Sequence, residues 1–488
     1  MKILFVSSEV VPFSKTGGLA DVAGALPKAL SKMGHDVRII TPKYRMTDEK
    51  EFGLVTILDE INCHFHHETL SGEILRGNLP DSSIPVYFVK YDPMFDRDGL
   101  YTEEGLDYQD NGQRFAFFCM ASLWALRAMN WKPDVIHCND WQTSLIPTYM
   151  AHHPDLRSDD FYKGIRVLYT IHNLAYQGNF DRDILNRIGL GWEVYTIDGL
   201  EFYGDINLMK AGIVFSDEIT TVSEQYAKEI QTVEYGCGLD GVLRHRSEHL
   251  TGIMNGIDYN VWNPETDDLI PSNFSEKNMG GKTRCKKALQ KKCGLPVDKD
   301  TPVIGMISRL ADQKGFDLIS DIIHELFEMN VQFVLLGTGD PKYHHIFKRI
   351  DEMYPNKSGI NITFDNKLAH EIEAGADMFL MPSRFEPCGL NQLYSMKYGT
   401  VPIVRKTGGL ADSVVDCTSQ TLKKGTATGF VFEEYKSEDL LETIQRAVET
   451  YKKTKTWRKL RKICMKQDYS WEVSAKKYVD LYRKMIKE

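Results

Sequence analysis

Seven residues, Lys-Thr-Gly-Gly-Leu-Ala-Asp, occur twice in this chain, beginning at Lys15 and again at Lys406. Two adjacent glycines permit positive φ and let backbone N–H groups approach a ligand without an intervening Cβ. The lysine adds a full positive charge, and the N–H groups of a helix's first turn attract anions. Either copy alone fits an ordinary strand-to-helix turn equally well. The identity of the non-glycine letters favours function, so we predict two halves of an anion-binding site.

Polar residues also follow two apolar runs in the first half of the chain. Residues 135–138 lead to Asp140, and residues 167–171 lead to His172. Parallel sheets bind ligands at the carboxyl ends of their strands, so Asp140 and His172 are predicted to face a cleft. His137 lies within its run and is predicted to be a hydrogen-bonded core histidine.

A similar arrangement recurs in the second half. Residues 303–307 precede Arg309 and Lys314, and residues 378–381 precede Glu386. Pro387 and Gly389 beside Glu386 indicate a specially shaped loop, which favours a functional carboxylate. The alternative is a structural ion pair between Glu386 and Arg384.

These residues need a framework of alternating strands and helices. In the first half we predict strands at 3–8, 37–41, 86–89, 135–138, 167–171 and 219–222, with helices at 19–33 and 112–129. In the second half we predict strands at 303–307, 331–336, 360–364 and 378–381, with a helix from 316 through 329. Such alternation indicates a parallel sheet with helices on both faces. The predicted class is α/β with two Rossmann-like domains, so that the twin loops face each other across a cleft.

The length of 488 residues exceeds one typical hydrophobic core. We predict an N-terminal Rossmann-like domain at 1–255, a linker at 256–282 and a C-terminal Rossmann-like domain at 283–466. Residues 437–466 are predicted to form a basic helical tail. A last helix within 467–488 is predicted to pack back on the N-terminal domain.

The net charge of -9 argues against a nucleic-acid or anionic-membrane binder. No run approaches the length of a membrane span, and Glu9 interrupts the apolar start too early for a signal peptide. Nine cysteines without a Cys-x-x-Cys pair suit reduced thiols, so a cytoplasmic protein is predicted. The oligomeric state is left open.

Three short segments resemble known binding motifs but do not match them. Residues 337–339 begin a dinucleotide fingerprint, but Lys342 replaces its third glycine. Residues 281–283 resemble the end of a P-loop, but Glu276 replaces its first glycine. In the cluster at 63–67, strand alternation would put His64 and His66 on one face without a third ligand in view, so no metal site is predicted.

Together the conspicuous segments resemble those of bacterial glycogen synthases and plant starch synthases, which extend α-1,4-glucan from ADP-glucose. The similar segments, in family order over essentially the whole chain, are KTGGLADV at Lys15, HCNDW at His137, YTIHNLAYQG at Tyr169, NGID at Asn255, SRLADQKG at Ser308, PSRFEPCGLNQLYSMKYGT at Pro382 and RKTGGLADSV at Arg405. The resemblance implies a glycosyltransferase-B fold with the donor in a deep cleft. It further implies transfer with retention of configuration, without a metal or cofactor, with ADP-glucose and an α-1,4-glucan as partners.

The resemblance also implies roles for individual residues. The catalytic ones are Lys15, Asp140, His172 and Glu386. Those implied for substrate binding are Lys15, Gly18, Asn173, Asn255, Arg309, Lys314, Phe364, Cys388, Gly389, Leu390, Thr407 and Gly408. Arg309 and Lys314 are implied to hold the diphosphate with backbone N–H groups of Thr407 and Gly408, and Phe364 to stack on adenine.

Two positions depart from related patterns. Gln142 stands where bacterial members often have histidine, and Tyr394 stands where many retaining transferases have a second glutamate. Glycogen and starch synthases share the tyrosine, so Tyr394 favours the narrower resemblance. The alternatives are another nucleotide-sugar transferase or a phosphorylase of the same fold, and a catalytically silent glucan-binding protein. The presence of Lys15, Arg309, Lys314 and Glu386 together argues against the silent protein.

Overall fold

The computed structural model describes residues 1–65 and 68–487. They form two compact units, one of residues 1–222, 227–256 and the segment from Trp471 onward, and the other of 223–226 and 257–470. In the described part of the chain, no helix is both long and apolar enough to cross a membrane. Two members of the predicted histidine cluster, His66 and His67, lie outside the described residues.

The first 256 residues contain most of the first unit. Their strands are β1 (Lys2–Val6), β2 (Asp36–Pro42), β3 (Val55–Phe65), β4 (Glu68–Asn78), β5 (Pro85–Lys90), β6 (Thr102–Glu103), β7 (Leu106–Asp107), β8 (Val135–Asn139), β9 (Arg166–Ile171), β10 (Asn179–Phe180), β11 (Glu201–Phe202), β12 (Asp205–Asn207), β13 (Glu218–Thr221) and β14 (Leu250–Gly252). The α-helices are α1 (Gly18–Lys32), α2 (Asp92–Phe95), α3 (Asn111–Ala128), α4 (Leu145–His152), α5 (Pro154–Ser158), α6 (Leu208–Phe215), α7 (Glu224–Glu229) and α8 (Asp240–His245). Short 3-10 helices lie at Trp141–Thr143, Arg182–Arg187, Trp192–Val194 and Ser247–His249.

The main sheet of the first unit has the order β14-β13-β9-β8-β1-β2-β5-β4-β3. Strands from β14 to β5 pair in parallel, whereas β3 and β4 form an antiparallel hairpin at one edge. The chain leaves β1 towards β2 on one side and later returns to β8 on the other. This reversal is the topological switch point at which Rossmann-like sheets bind ligands.

The second unit has a six-stranded parallel sheet of order β17-β16-β15-β18-β19-β20. Its strands are β15 (Val303–Ile307), β16 (Gln332–Leu336), β17 (Ser358–Asn361), β18 (Met378–Met381), β19 (Val401–Arg405) and β20 (Phe430–Phe432). Its helices are α9 (Gly280–Lys292), α10 (Phe316–Asp321), α11 (Ile323–Glu328), α12 (Pro341–Met353), α13 (Asn366–Gly375), α14 (Asn391–Lys397), α15 (Gly408–Ser413), α16 (Ser419–Lys424), α17 (Ser437–Lys452) and α18 (Thr454–Met465), with a 3-10 helix at Asp312–Lys314. Its switch point lies between β15 and β18.

The last helix, α19 (Trp471–Lys487), belongs to the first unit. Its buried Trp471 and Tyr482 share a hydrophobic cluster with Ile3 of β1. The Tyr482 hydroxyl lies 2.7 Å from Nδ1 of His137, whose Nε2 lies 2.6 Å from Thr170 Oγ1. His137 is therefore a hydrogen-bonded core histidine, as predicted.

Several predicted boundaries were wrong. The antiparallel β3–β4 hairpin was not predicted, because exposed charged residues such as Asp59, Glu60 and Glu68 interrupt its apolar residues. The predicted strand 360–364 ends at Asn361, since Asp365 accepts a hydrogen bond from the Leu368 N–H and so caps α13. The predicted helix 316–329 is two short helices, and the tail 437–466 breaks at Lys453. α9 begins at Gly280, and the predicted bounds of the domains and linker stay predictions.

Candidate active site

Glu386 lies in the loop after β18, with its carboxylate buried. The Lys314 ammonium donates to Glu386 Oε2 at 2.7 Å, and the Ser383 hydroxyl donates to the same oxygen at 2.9 Å. The structure therefore joins the predicted diphosphate cation and the predicted catalytic carboxylate in one ion pair. Arg384 contacts Asp317 at 3.2 Å instead, so the alternative ion pair with Glu386 is not formed.

Two neighbouring strands position this pair. Lys314 follows β15 and Glu386 follows β18, and these two strands are hydrogen-bonded to each other. The Gln313 side-chain amide donates to the Phe385 carbonyl at 3.1 Å, and the Arg384 N–H donates to the Gln313 carbonyl at 2.8 Å. The two loops after the strands are thus tied together, which holds the lysine and the carboxylate in register.

The second heptapeptide packs directly under the Glu386 loop. Gly408 has a φ of 43°, and a Cβ there would lie 2.0 Å from the Glu386 carbonyl oxygen. The next amide, that of Gly409, donates to the carbonyls of Glu386 at 3.1 Å and Pro387 at 3.2 Å. The glycines therefore allow the Glu386 loop to pack against the start of α15. The Thr407 N–H, predicted to hold a diphosphate, donates to the Arg405 carbonyl at 3.0 Å.

The other predicted residues of the second unit lie near strand or helix ends. Arg309 is exposed after β15, and Phe364 is 82% exposed after β17. Cys388 is buried, Gly389 has a φ of 67°, and Leu390 immediately precedes α14. An exposed ring such as that of Phe364 presents a face on which a planar base can stack.

The first heptapeptide already surrounds an anion, the carboxylate of Glu9. The N–H groups of Thr16 and Gly17 both donate to Glu9 Oε2, the latter at 3.1 Å. The hydroxyls of Thr16 and Tyr101 donate to Oε1, the Tyr101 bond being 2.8 Å long. Glu9 is buried among these donors. The backbone N–H donors were predicted from the sequence, but Glu9 was not predicted as their acceptor. The position of Glu9 soon after the end of β1 could have indicated it.

Lys15 and Gly18 flank this loop. The Lys15 ammonium lies 2.7 Å from Asp21 Oδ1 in a partly exposed ion pair, and Gly18 is the first residue of α1. Gly17 has a φ of -147°, an extended conformation that any residue adopts. The positive φ that adjacent glycines permit is therefore found at Gly408 and is not adopted by Gly17.

Asp140 follows β8, next to β1 in the sheet. Its φ of 56° is unusual for a residue with a side chain, and such conformations concentrate at functional sites. Its Oδ1 accepts the His172 N–H at 2.7 Å. Burial, with a contribution from the nearby charge of Glu9, raises the pKa of the Asp140 carboxyl to about 7. Asp140 can thus change protonation near neutral pH.

His172 follows β9 and is held in one tautomer. Its Nε2 lies 2.9 Å from Asn139 Oδ1, and the Asn139 amide nitrogen donates to the carbonyls of Val6 and His137. Because those carbonyls fix the amide's orientation, Oδ1 must accept a hydrogen bond from the Nε2–H group of His172. Burial lowers the pKa of His172 to about 3, so the ring is neutral and its Nδ1 is an acceptor. His172 is suited to hydrogen bonding a hydroxyl and unsuited to acting as a cation.

Two further side chains carry unused acceptors. Asn255 Oδ1 and Gln142 Oε1 are buried and have no hydrogen-bond partner among the described residues. A buried unpaired acceptor costs about 1–3 kcal/mol, which a ligand rich in hydroxyl donors would offset. Asn173 Oδ1 accepts the Ala175 N–H at 3.1 Å. Within residues 1–65 and 68–487, no group of three or more potential ligands could hold a metal ion.

Comparison with known proteins identifies the family. A model of the starch synthase catalytic domain matches residues 2–245, and a model of glycosyl transferases group 1 matches residues 290–462. A glycogen synthase of Thermotoga maritima is 47% identical over 491 residues, which cover 100% of this chain and 99% of the relative. The chain belongs to the glycogen synthase family. Another glycogen synthase, from Koribacter versatilis, is 46% identical over 99% of this chain and 98% of its own length.

Solved structures agree with this assignment to the glycogen synthase family. The catalytic domain of starch synthase IV from Arabidopsis thaliana, bound to ADP and acarbose, has a TM-score of 0.92 and 35% identity, covering 100% of this chain and 99% of its own. The predicted two-domain glycosyltransferase-B fold is therefore confirmed. A sucrose-phosphate synthase from Thermosynechococcus elongatus, 17% identical with a TM-score of 0.59, shares the fold alone.

Tyr394, eight residues beyond Glu386, has a packing role here. Its ring stacks on Trp262 with a centroid separation of 4.1 Å and an interplanar angle of 10°. Trp262 also stacks on His370 at 3.8 Å. Tyr394 is therefore part of an aromatic stack, and Glu386 has no carboxylate partner at this position.

Proposed function

We propose that this protein transfers glucose from ADP-glucose to the non-reducing end of an α-1,4-glucan with retention of configuration. The observation that carries the proposal is the Lys314–Glu386 ion pair at the ends of β15 and β18, the switch point of the second sheet. The second unit would hold the nucleotide and diphosphate. The first unit would contribute groups to the sugars, and the reaction would take place in the cytoplasm.

The chemistry requires stabilisation of two opposite charges. When the bond between the anomeric carbon and the diphosphate oxygen breaks, the sugar becomes positive and the leaving group gains negative charge. Arg309 and Lys314 would stabilise the diphosphate, and Glu386 would stabilise the sugar. The acceptor hydroxyl attacks on the face that the diphosphate leaves, and its proton passes to a diphosphate oxygen. All atoms and charges then balance without a second protein carboxylate.

The first unit supplies hydrogen bonds to the sugar. We assign to Lys15, Asp140, His172, Asn173 and Asn255 contacts with the donor or its transferred glucose. The neutral His172 offers Nδ1 as an acceptor, and Asn255 offers its unpaired Oδ1. A hydroxyl-rich sugar supplies the donors that these two atoms need.

Arg309→Ala and Lys314→Ala are each expected to weaken ADP binding by roughly ten- to a hundred-fold. A hydrogen bond to a charged group is worth about 1.5–3 kcal/mol, and each 1.4 kcal/mol is about tenfold. Lys314→Ala should also lower kcat, since it leaves Glu386 without its cation. Calorimetry with ADP provides the measurement, and Lys292→Ala, which breaks a comparable pair with Glu371 in the same unit, is the control. Wild-type ADP affinity in both variants would remove these residues from the donor site.

Lys15→Ala is expected to lower kcat/KM for ADP-glucose by roughly ten- to a hundred-fold through loss of one charge-assisted contact. Much of the ADP affinity should remain, because Arg309 and Lys314 are intact. Stability should change little, since exposed ion pairs contribute about 0–1 kcal/mol. Lys163→Ala, which breaks the exposed pair with Asp160 in the same unit, should leave the kinetics unchanged. A Lys15 variant with wild-type kcat/KM would contradict the assignment.

The proposed function is tested by transfer of labelled glucose to glycogen from a panel of nucleotide sugars. ADP-glucose should be used best, and the product linkage should have the α configuration by NMR. A phosphorylase would instead release glucose 1-phosphate from glycogen and phosphate, through a lysine-bound pyridoxal phosphate with its own absorbance. A silent glucan-binding protein would bind glycogen and transfer nothing.

A further inference from the structure

Two pairs of aromatic side chains lie between β9 and α6 of the first unit, and each pair has one exposed ring. Trp192 is 49% exposed and Tyr203 is 83% exposed. Trp192 contacts Tyr195 edge to face with ring centroids 5.5 Å apart, and Phe202 contacts Tyr203 in the same way at 4.7 Å. We call Trp192, Tyr195, Phe202 and Tyr203 the aromatic platform.

Tyr203 occupies a costly backbone position. It and Gly204 connect β11 to β12, and their φ values are 52° and 94°. Two positive φ values at the centre of a two-residue hairpin loop characterise a type I′ turn, which favours Asn-Gly. A tyrosine there is disfavoured both by its backbone conformation and by the exposure of its ring. Folding alone would select asparagine, so the tyrosine indicates a role for the exposed ring.

The platform is held rigidly. The Tyr195 hydroxyl donates to the Gly204 carbonyl at 2.7 Å, and the Gly204 N–H donates to Glu201 Oε1 at 2.9 Å. The Lys210 ammonium donates to the carbonyls of Ile197 and Glu201, each at 2.6 Å. These bonds connect the two aromatic pairs, which therefore form one preorganised surface.

The hairpin that carries the platform is linked to the loop after His172. β12 pairs with β10, and the Asn207 side-chain amide donates to Gln177 Oε1 at 2.6 Å and Asn179 Oδ1 at 2.7 Å. The hairpin that carries Tyr203 is thus hydrogen-bonded to the loop that follows His172 in the chain.

The charges around the platform restrict its ligand. Residues 181–205 include six carboxylate side chains and two arginines. This excess of negative charge repels nucleic acids and anionic lipid surfaces. Carboxylates accept hydrogen bonds from hydroxyls, and the faces of aromatic rings pack against the C–H groups of a pyranose ring. A neutral, hydroxyl-rich polymer satisfies both features.

We propose that the aromatic platform binds the glucan acceptor at a distance from its reacting end. This inference rests on the proposed function and adds a second point of contact for the same polymer. A chain held at two points has a high effective concentration at the reacting end, which favours long acceptors over short ones.

The test uses Tyr203→Asn and Trp192→Ala in the full-length chain. Tyr203→Asn removes the unfavourable backbone conformation of a tyrosine in this turn, so the Tm of the variant is expected to rise by about 2 °C. Its glycogen affinity, measured without donor by affinity electrophoresis, should nevertheless fall roughly tenfold, as should that of Trp192→Ala. The KM for glycogen should rise by the same factor, while kcat and the KM for ADP-glucose stay unchanged. Tyr203→Phe should retain binding, because it keeps the ring.

Met353→Ala is the matched control, since Met353 is an exposed apolar residue of the second unit at 46% exposure. It should retain wild-type glycogen binding. Normal glycogen affinity and KM in both Tyr203→Asn and Trp192→Ala would overturn the proposal. It would also be overturned if these variants bound glycogen normally but lost affinity for a cationic peptide. Because binding is measured without donor, a wild-type protein that fails to transfer glucose would refute the proposed function separately.

Discussion

Replacing Glu386 by glutamine is expected to lower kcat by roughly 10²–10³-fold while leaving the fold and ADP binding in place. The charge of Glu386 matters most when the transferred glucose becomes cationic, and preorganised electrostatic contacts of this kind are typically worth that factor. Glutamine keeps the size of the side chain and an oxygen to accept from Ser383. The loss of negative charge also frees Lys314 to interact more strongly with a diphosphate, so ADP affinity should be equal or higher. Single-turnover kinetics and calorimetry separate the two effects.

Glu371→Gln is the matched control for this variant. Glu371 is another buried glutamate of the second unit that pairs with a lysine, Lys292. Its replacement should affect stability alone, with kcat unchanged. A Glu386→Gln protein with wild-type kcat would remove that carboxylate from the mechanism.

Gly408→Ala is expected to reduce kcat by about 10²-fold or more and to destabilise the second unit. The left-handed conformation alone costs an alanine about 1–2 kcal/mol. In addition, the new Cβ would lie 2.0 Å from the Glu386 carbonyl oxygen, so the catalytic loop must move. A displacement of about 1 Å at a reacting group is enough to cost about 10²-fold in rate. ADP affinity should fall as well, because Arg384 and Phe385 of the displaced loop are hydrogen-bonded to Gln313, the neighbour of Lys314.

Gly17 is the equivalent residue of the first heptapeptide and makes a stringent control. A Cβ at Gly17 would have no described atom within 4 Å, and its φ of -147° suits any residue. Gly17→Ala should therefore retain stability, kcat and ADP affinity within about twofold. Equal losses in the two alanine variants, with both folded by circular dichroism, would show that the glycines share one role and that the loop-packing explanation is wrong.

The positions of Asp140, His172 and Glu386 were predictable because each follows a short apolar run. Such runs are buried strands of parallel sheets, and within each sheet the topology brings the carboxyl ends of its strands to one edge. Local sequence is sufficient to recognise the apolar run and the polar residue that follows it. The long β3–β4 hairpin was missed for the same reason, since its exposed charged residues give no apolar run.

The residues that each of these groups contacts could not be predicted in this way. Identical heptapeptides suggested identical loops, yet Thr16 and Gly17 hold Glu9, whereas Gly408 and Gly409 receive the backbone of the Glu386 loop. The tautomer of His172 likewise depends on Asn139, whose amide is fixed by Val6 in another strand. Apart from the contacts of Glu9, these contacts join residues far apart in the sequence, so no local pattern encodes them.

The carboxylate of Glu9 inside the first glycine loop has a consequence for inhibitor design. A phosphate mimic offered to that loop would have to displace a buried anion that already accepts four hydrogen bonds, and its own charge would be repelled. Compounds aimed at the first unit should accordingly carry neutral hydrogen-bonding groups. Acidic groups belong in the part of the compound that meets Arg309 and Lys314.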